Sequence, residues 1–101
     1  MREHLGMAIY GEMAVARFAK KHAASRKPLA RFLAIARIAA WASFVEVKQT
    51  FPSTDYVHAT GVLIFNIGGN KYRLVADVDF DEQIMVIKSV MTHHEYSRET
   101  F

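Results

Sequence analysis

Thr92-His93-His94-Glu95-Tyr96, near the end of a 101-residue chain, sets two imidazoles, a carboxylate and a phenol side by side. Lys71, Arg73 and Lys88 supply cations upstream. Imidazole titrates at about 6.5 and can give or take a proton at neutral pH, whereas a phenol at about 10 needs a large pKa shift or an orienting role. Arginine stays protonated and can bond two phosphate oxygens at once. Such a set suits cleavage of RNA by its own 2′-hydroxyl. That reaction needs a base for the hydroxyl proton, an acid for the leaving 5′ oxygen and fixed positive charge at the phosphorus centre, and it requires no metal. Lys71, Arg73, Lys88, His93, His94 and Tyr96 are the residues that could carry it.

Other chemistries find less support. His93 and His94 with Asp77, Asp79, Asp81 and Glu82 can be read as metal ligands, but neighbouring histidines usually point apart and the acids lack the spacing of a calcium loop. Neither a metal nor any other cofactor is expected. Gly68-Gly69-Asn70-Lys71 lacks the Walker pattern and leads into a strand instead of a helix. The chain has no cysteine, and Ser53, Ser89 and Ser97 have no recognisable nucleophile setting.

The elements that must hold these residues form an α+β pattern. Val15, Phe18 and Ala19 recur at helical spacing, with Arg17, Lys20 and Lys21 on another face, which predicts a helix over about 11–23. After Ser25-Arg26-Lys27-Pro28, a second helix is expected over about 28–42, starting at Pro28. Leu29, Phe32, Leu33 and Ala36 make one apolar face, and Ile35, Ile38 and Trp41 widen it. Phe51-Pro52-Ser53-Thr54-Asp55 reads as a turn. Strands are expected at about 61–67, 71–80 and 83–90, joined at Gly68-Gly69-Asn70 and at Asp81-Glu82 as an antiparallel meander. A short strand from Leu5 to Tyr10 is a further edge. Alternation puts Tyr72, Leu74, Ala76, Val78 and Phe80 on the core face and Lys71, Arg73, Val75, Asp77 and Asp79 on the other, so Lys71 and Arg73 are expected to project together, with Lys88 near the same region. A one-residue slip in register would reverse every one of these side chains.

Length and a 51% hydrophobic content allow one modest core, hence a single domain over 1–101. The absence of cysteine fits a reducing compartment, and the first ten residues lack the pattern of a signal peptide. Arg31 and Arg37 interrupt the apolar stretches before a bilayer could be spanned. A cytoplasmic protein with no membrane contact is expected. The net charge of +3 divides unevenly: residues 1–40 carry eight Lys/Arg against two acids, +6, while residues 41–101 carry five against eight, −3. That basic half, through Arg17, Lys20, Lys21, Lys27 and Arg31, is expected to meet a polyanion such as RNA, or an acidic protein. A non-catalytic basic module binding RNA or protein, or a structural subunit burying its apolar second helix against a partner, are the alternatives.

Phe65-Asn66-Ile67-Gly68-Gly69-Asn70-Lys71-Tyr72-Arg73-Leu74, followed by Ile87-Lys88-Ser89-Val90-Met91-Thr92-His93-His94-Glu95-Tyr96, resembles the HigB toxins of bacterial toxin–antitoxin pairs. Trp41 and Phe51-Pro52-Ser53 fit as well. The resemblance implies a RelE-like fold, a small antiparallel sheet of three or four strands packed against two N-terminal helices. It further implies an endonuclease acting on mRNA, commonly during translation on the ribosome, and a HigA-like antitoxin partner with a helix-turn-helix domain. Carried over, Arg73 looks like the motif arginine, His93 and Tyr96 like the tail pair, and Lys71 like the preceding basic position. Asn70 also matches, though turn geometry accounts for it. Lys88 stands where relatives often have arginine, keeping the charge and losing the bidentate fork.

Overall fold

The structure, a computed structural model, describes residues 6–99. Five strands form one mixed sheet: β1 (Ala8–Tyr10), β2 (Asp55–Tyr56), β3 (Leu63–Ile67), β4 (Tyr72–Asp79) and β5 (Ile84–Thr92), in the spatial order β1-β5-β4-β3-β2. The helices are α1 (Glu12–Lys21), α2 (Arg26–Ile38), α3 (Phe44–Thr50) and α4 (His93–Tyr96), with a 3₁₀ turn at Ala23–Ser25. The α+β class and the β3-β4-β5 meander match expectation. The sheet has one strand more than the expected maximum, and β1 runs parallel to β5, so the sheet is mixed. The proposed start of the edge strand at Leu5 lies outside the described residues.

Between β1 and α1 the chain turns on Gly11, with φ 90°. A Cβ there would lie 2.4 Å from the Ile87 carbonyl oxygen, so both the left-handed backbone and the close approach to β5 require glycine. From α1, Val15 and Phe18 point inward, and from α2, Leu29, Phe32, Leu33 and Ala36. They meet Leu63, Phe65 and Ile67 of β3, Tyr72, Leu74 and Ala76 of β4, and Met85 and Ile87 of β5. Phe32 lies 4.8 Å from Phe65, centroid to centroid. Burial of each large side chain contributes about 1.5–3 kcal/mol, which is what clamps β4 from one side.

The second helix is shorter than expected and begins earlier. Pro28 occupies its first turn, where a missing N–H costs nothing, but α2 stops at Ile38 and Ala39 is already extended. Trp41 leaves the helix to be buried in the core. Its indole N–H donates to Thr50 Oγ1 at 3.0 Å, and its carbonyl accepts from Gln83 Nε2 at 2.7 Å. Residues 44–50 then form α3, a helix that periodicity did not reveal. Its start was nevertheless written in Ser43-Phe44-Val45-Glu46: the Ser43 hydroxyl accepts from the Glu46 amide.

The opposite face of the sheet is not left bare. Val62, Ile64 and Val75 are buried there, with Val57, Met91 and Tyr96 packed around them. This is the face that carries Arg73.

Candidate active site

β5 ends at Thr92, and the chain turns at once into α4. Thr92 and Glu95 form a reciprocal cap: the Thr92 hydroxyl accepts from the Glu95 amide at 3.1 Å, and Glu95 Oε1 accepts from the Thr92 amide at 2.8 Å. The Thr92 amide, above all, holds the Glu95 carboxyl below the ordinary glutamate range, against an opposing desolvation. The Thr92 hydroxyl, His22 and Lys21 pull the same way. The His93 amide donates to the Lys71 carbonyl at 2.8 Å, tying this turn to the start of β4. The register Tyr72↔Thr92 and Arg73↔Met91 therefore delivers His93 and Tyr96 to Arg73.

Arg73 is only 7% exposed. Its Nη1 donates to the Asn70 and Tyr72 carbonyls at 3.2 and 3.1 Å. Its Nη2 donates to Asn70 Oδ1 at 2.6 Å and to His93 Nδ1 at 3.1 Å. The Tyr96 ring lies beside the guanidinium, 5.1 Å from centroid to Cζ, within range of a cation–π attraction. A guanidinium can only donate, so Nδ1 is the acceptor and the neutral His93 ring carries its proton on Nε2. All these partners are uncharged. Among the described residues no carboxylate pairs with Arg73, since the ion pairs are Arg37–Glu12 and Lys88–Asp77. A nearly buried cation without a counter-ion is costly unless an anion arrives to complete it.

Of the sequence candidates, then, Arg73, His93 and Tyr96 come together. Lys71 does not project with Arg73. It lies in the turn before β4 and is exposed, while Arg73 folds inward onto Asn70. Lys88 lies elsewhere too. Val75 pairs with Ser89 and Ala76 with Ile87, leaving Lys88 as the extra residue of a bulge, and its Nζ is 3.3 Å from Asp77 Oδ2. Asp77 is roughly 13 Å along β4 from Arg73. Arg17, Lys20 and Lys21 border an open groove between α1 and β5 together with Lys88. Arg31 belongs to a separate small cleft beside Gly68 and Gly69, and Lys27 is exposed on α2.

One residue of the site was undervalued, and one neighbour of its tail was missed. Asn70 supplies two of the acceptors around Arg73, and the signal was its position three residues before the arginine. His22 stacks on Phe18 at 4.3 Å and faces Tyr72 at 6.5 Å. No sequence pattern connects it to a tail some seventy residues on. Among the described residues no three His, Asp or Glu side chains converge on a metal-sized site.

A mixed sheet with helices on one face and an arginine–imidazole–phenol cluster at the junction of β4 with a C-terminal turn is RelE-like. More narrowly, residues 25–99 match the model of the HigB_toxin family, the RelE-like toxic component of a toxin–antitoxin system, and the chain belongs to that family. It is similar to "mRNA interferase toxin HigB" of Escherichia coli (strain K12) and to "mRNA interferase HigB" of Escherichia coli O157:H7 and of Shigella flexneri. Each is 45% identical over 51 residues, covering 50% of this chain. The matched part is 49% of each relative, so the chain spans about half the length of the curated relatives it matches.

Proposed function

We propose that this chain is the toxin of a type II toxin–antitoxin pair, a metal-independent endoribonuclease that cleaves mRNA in the translating ribosome, in the cytoplasm, and is restrained by a HigA-like helix-turn-helix antitoxin. The observation that carries this reading is Arg73, a nearly buried cation surrounded by neutral acceptors, touching an exposed imidazole. The relatives' names point to the same activity. Absence of a helix long and apolar enough to cross a membrane, among the described residues, is compatible with it.

In this mechanism the scissile phosphate takes the counter-ion place beside Arg73. An anionic oxygen gains Nη2 by displacing His93, because a charged acceptor bonds more strongly than an imidazole nitrogen. The released ring takes the proton of the 2′-hydroxyl as that oxygen bonds to phosphorus, and water protonates the 5′ oxygen as its bond to phosphorus breaks, leaving a 2′,3′-cyclic phosphate. Arg73 holds the charge of the phosphorane, Asn70 keeps the guanidinium plane fixed, and Tyr96 backs it from the side. Lys71 meets an adjacent phosphate from the turn. Arg17, Lys20, Lys21, Lys27 and Arg31 hold flanking RNA or ribosomal phosphates.

Wild type, Arg73→Ala and His93→Ala are compared on an mRNA in a translating extract, and wild type also on a short RNA at high enzyme concentration in chelator. Arg73→Ala is expected to slow cleavage about 10²–10³-fold and His93→Ala about 10²–10⁴-fold. Equal cleavage by all three excludes the site. Loss of wild-type cleavage in chelator excludes the metal-free reading.

A further inference from the structure

Two steps along β4 from Arg73, on the same face of the sheet, there is a second recess of about 280 Å³. Its floor is Val62 and Val75, both buried, and its rim is Thr60, Asp77, Lys88 and Ser89. The β5 bulge creates that rim. In a regular ladder consecutive side chains alternate, so Lys88 and Ser89 would point to opposite faces. The extra residue between the Val75↔Ser89 and Ala76↔Ile87 pairs lets both line the same recess, while Ile87 and Val90 stay on the core side. Bulges re-aim side chains in this way, often beside active sites.

We propose that this recess binds the base of a nucleotide next to the scissile phosphate and prefers guanine. The claim rests on the ribonuclease reading above and adds the part of the site that selects sequence. A flat apolar floor accepts a ring face, and the volume accommodates a single nucleobase. Its distance from Arg73, roughly 7 Å from Val75 and 13 Å from Asp77, is the reach from a phosphate to a neighbouring base. Asp77 and Lys88 are half exposed and 3.3 Å apart, so an incoming base edge can share or replace their contact at little cost. A carboxylate beside an ammonium complements an edge that presents donors beside an acceptor. Guanine places O6, which Lys88 can reach, next to N1–H and the N2 amino group, which the Asp77 carboxylate can accept together. The other three bases offer a carboxylate no such adjacent pair of N–H groups.

The test needs no cleavage. The protein is titrated with the four ribonucleoside 5′-monophosphates while the amide signals of Val75, Asp77 and Ser89 are followed by NMR. The expected result is shifts at these amides and binding of GMP about tenfold tighter than of AMP, CMP or UMP. Asp77→Asn and, separately, Lys88→Gln should each reduce that margin several-fold, with an unchanged amide pattern in the α1–α2 core as the check on folding. In mapped cut sites, guanine should be enriched at one position beside the cut for wild type, and the enrichment should vanish in Asp77→Asn. Equal affinity for all four nucleotides, or shifts confined to Arg73 and His93, overturns the proposal even if RNA is cleaved. Selective GMP binding at these amides in a protein that cleaves no RNA sustains the recess and overturns the catalytic reading instead.

Discussion

Leu74 and Arg73 are neighbours on β4, and the sheet gives them opposite surroundings. Leu74, with no exposed surface, sits between its ladder partners Phe65 and Val90 in the core that α1 and α2 cover. Arg73 is almost as hidden, yet its hydrogen-bond partners are carbonyl oxygens and an imidazole, a phenol ring lies beside it, and no carboxylate among the described residues answers its charge. One face of the strand is closed by residues that complete one another. The other is closed around a cation that an anion would complete. In this small sheet burial alone does not separate packing positions from candidate functional ones. What separates them is whether each group's bonding and charge are satisfied within the chain.

That contrast can be broken by exchanging the readouts of the two neighbours. Leu74→Ala is expected to lower stability by about 2–5 kcal/mol, since the packed face cannot close over the void. The protein that remains folded should still cleave RNA. Arg73→Ala should give the converse, a loss of cleavage with a smaller shift in the urea midpoint at unchanged slope. Should the Arg73 substitution cost more stability than the Leu74 one, the guanidinium is structural and the contrast fails.

A smaller effect sharpens the role of the tail. Thr92→Ala removes the cap of α4 and costs that turn about 1 kcal/mol. Held locally, this amounts to about a fivefold shift toward a frayed tail and a comparable fall in cleavage. Amide exchange should accelerate from His93 to Ser97 and not in β4. Unchanged exchange would separate the cap from the placement of His93.

The smallest expected effect is a pH dependence of the same turn. Glu95 is held below the ordinary glutamate value in the folded state, so its contribution is fully present above that value and is lost as pH falls through the lowered one. Acidification below the usual carboxylate range should therefore loosen α4 first, read as faster exchange of the Glu95 and Tyr96 amides while Leu74 stays protected. A Glu95→Gln variant should lose most of that acid response. If it keeps the response, another group controls the turn.

Much of the fold was legible where local pattern and tertiary demand agree. The β3-β4-β5 meander follows from β-branched runs parted by Gly68-Gly69-Asn70 and by Asp81-Glu82, and the inward set Tyr72, Leu74 and Ala76 follows from alternation. Helix α2 was overextended because Ile38 and Trp41 continue its periodicity. The chain nonetheless leaves the helix at Ala39 so that Trp41 can bond Thr50 and receive Gln83, contacts that lie in distant segments. The parallel β1 was likewise hidden, since a three-residue strand has no period of its own and finds its direction only at the edge of β5.

For the candidate site, residue chemistry and the motif pair were enough to single out Arg73, His93 and Tyr96, which the fold brings together, because they lie on one strand and on the turn that follows its neighbour. Sequence by itself determined that a cation, an imidazole and a phenol would be carried by β4 and the tail that follows β5. Only the tertiary structure decided that Arg73 turns inward and Lys71 does not, and that Lys88 belongs with Asp77. The physical reason is register. A single extra residue in β5 redirects every side chain beyond it, and nothing in the order of the residues states where two strands will fall out of step.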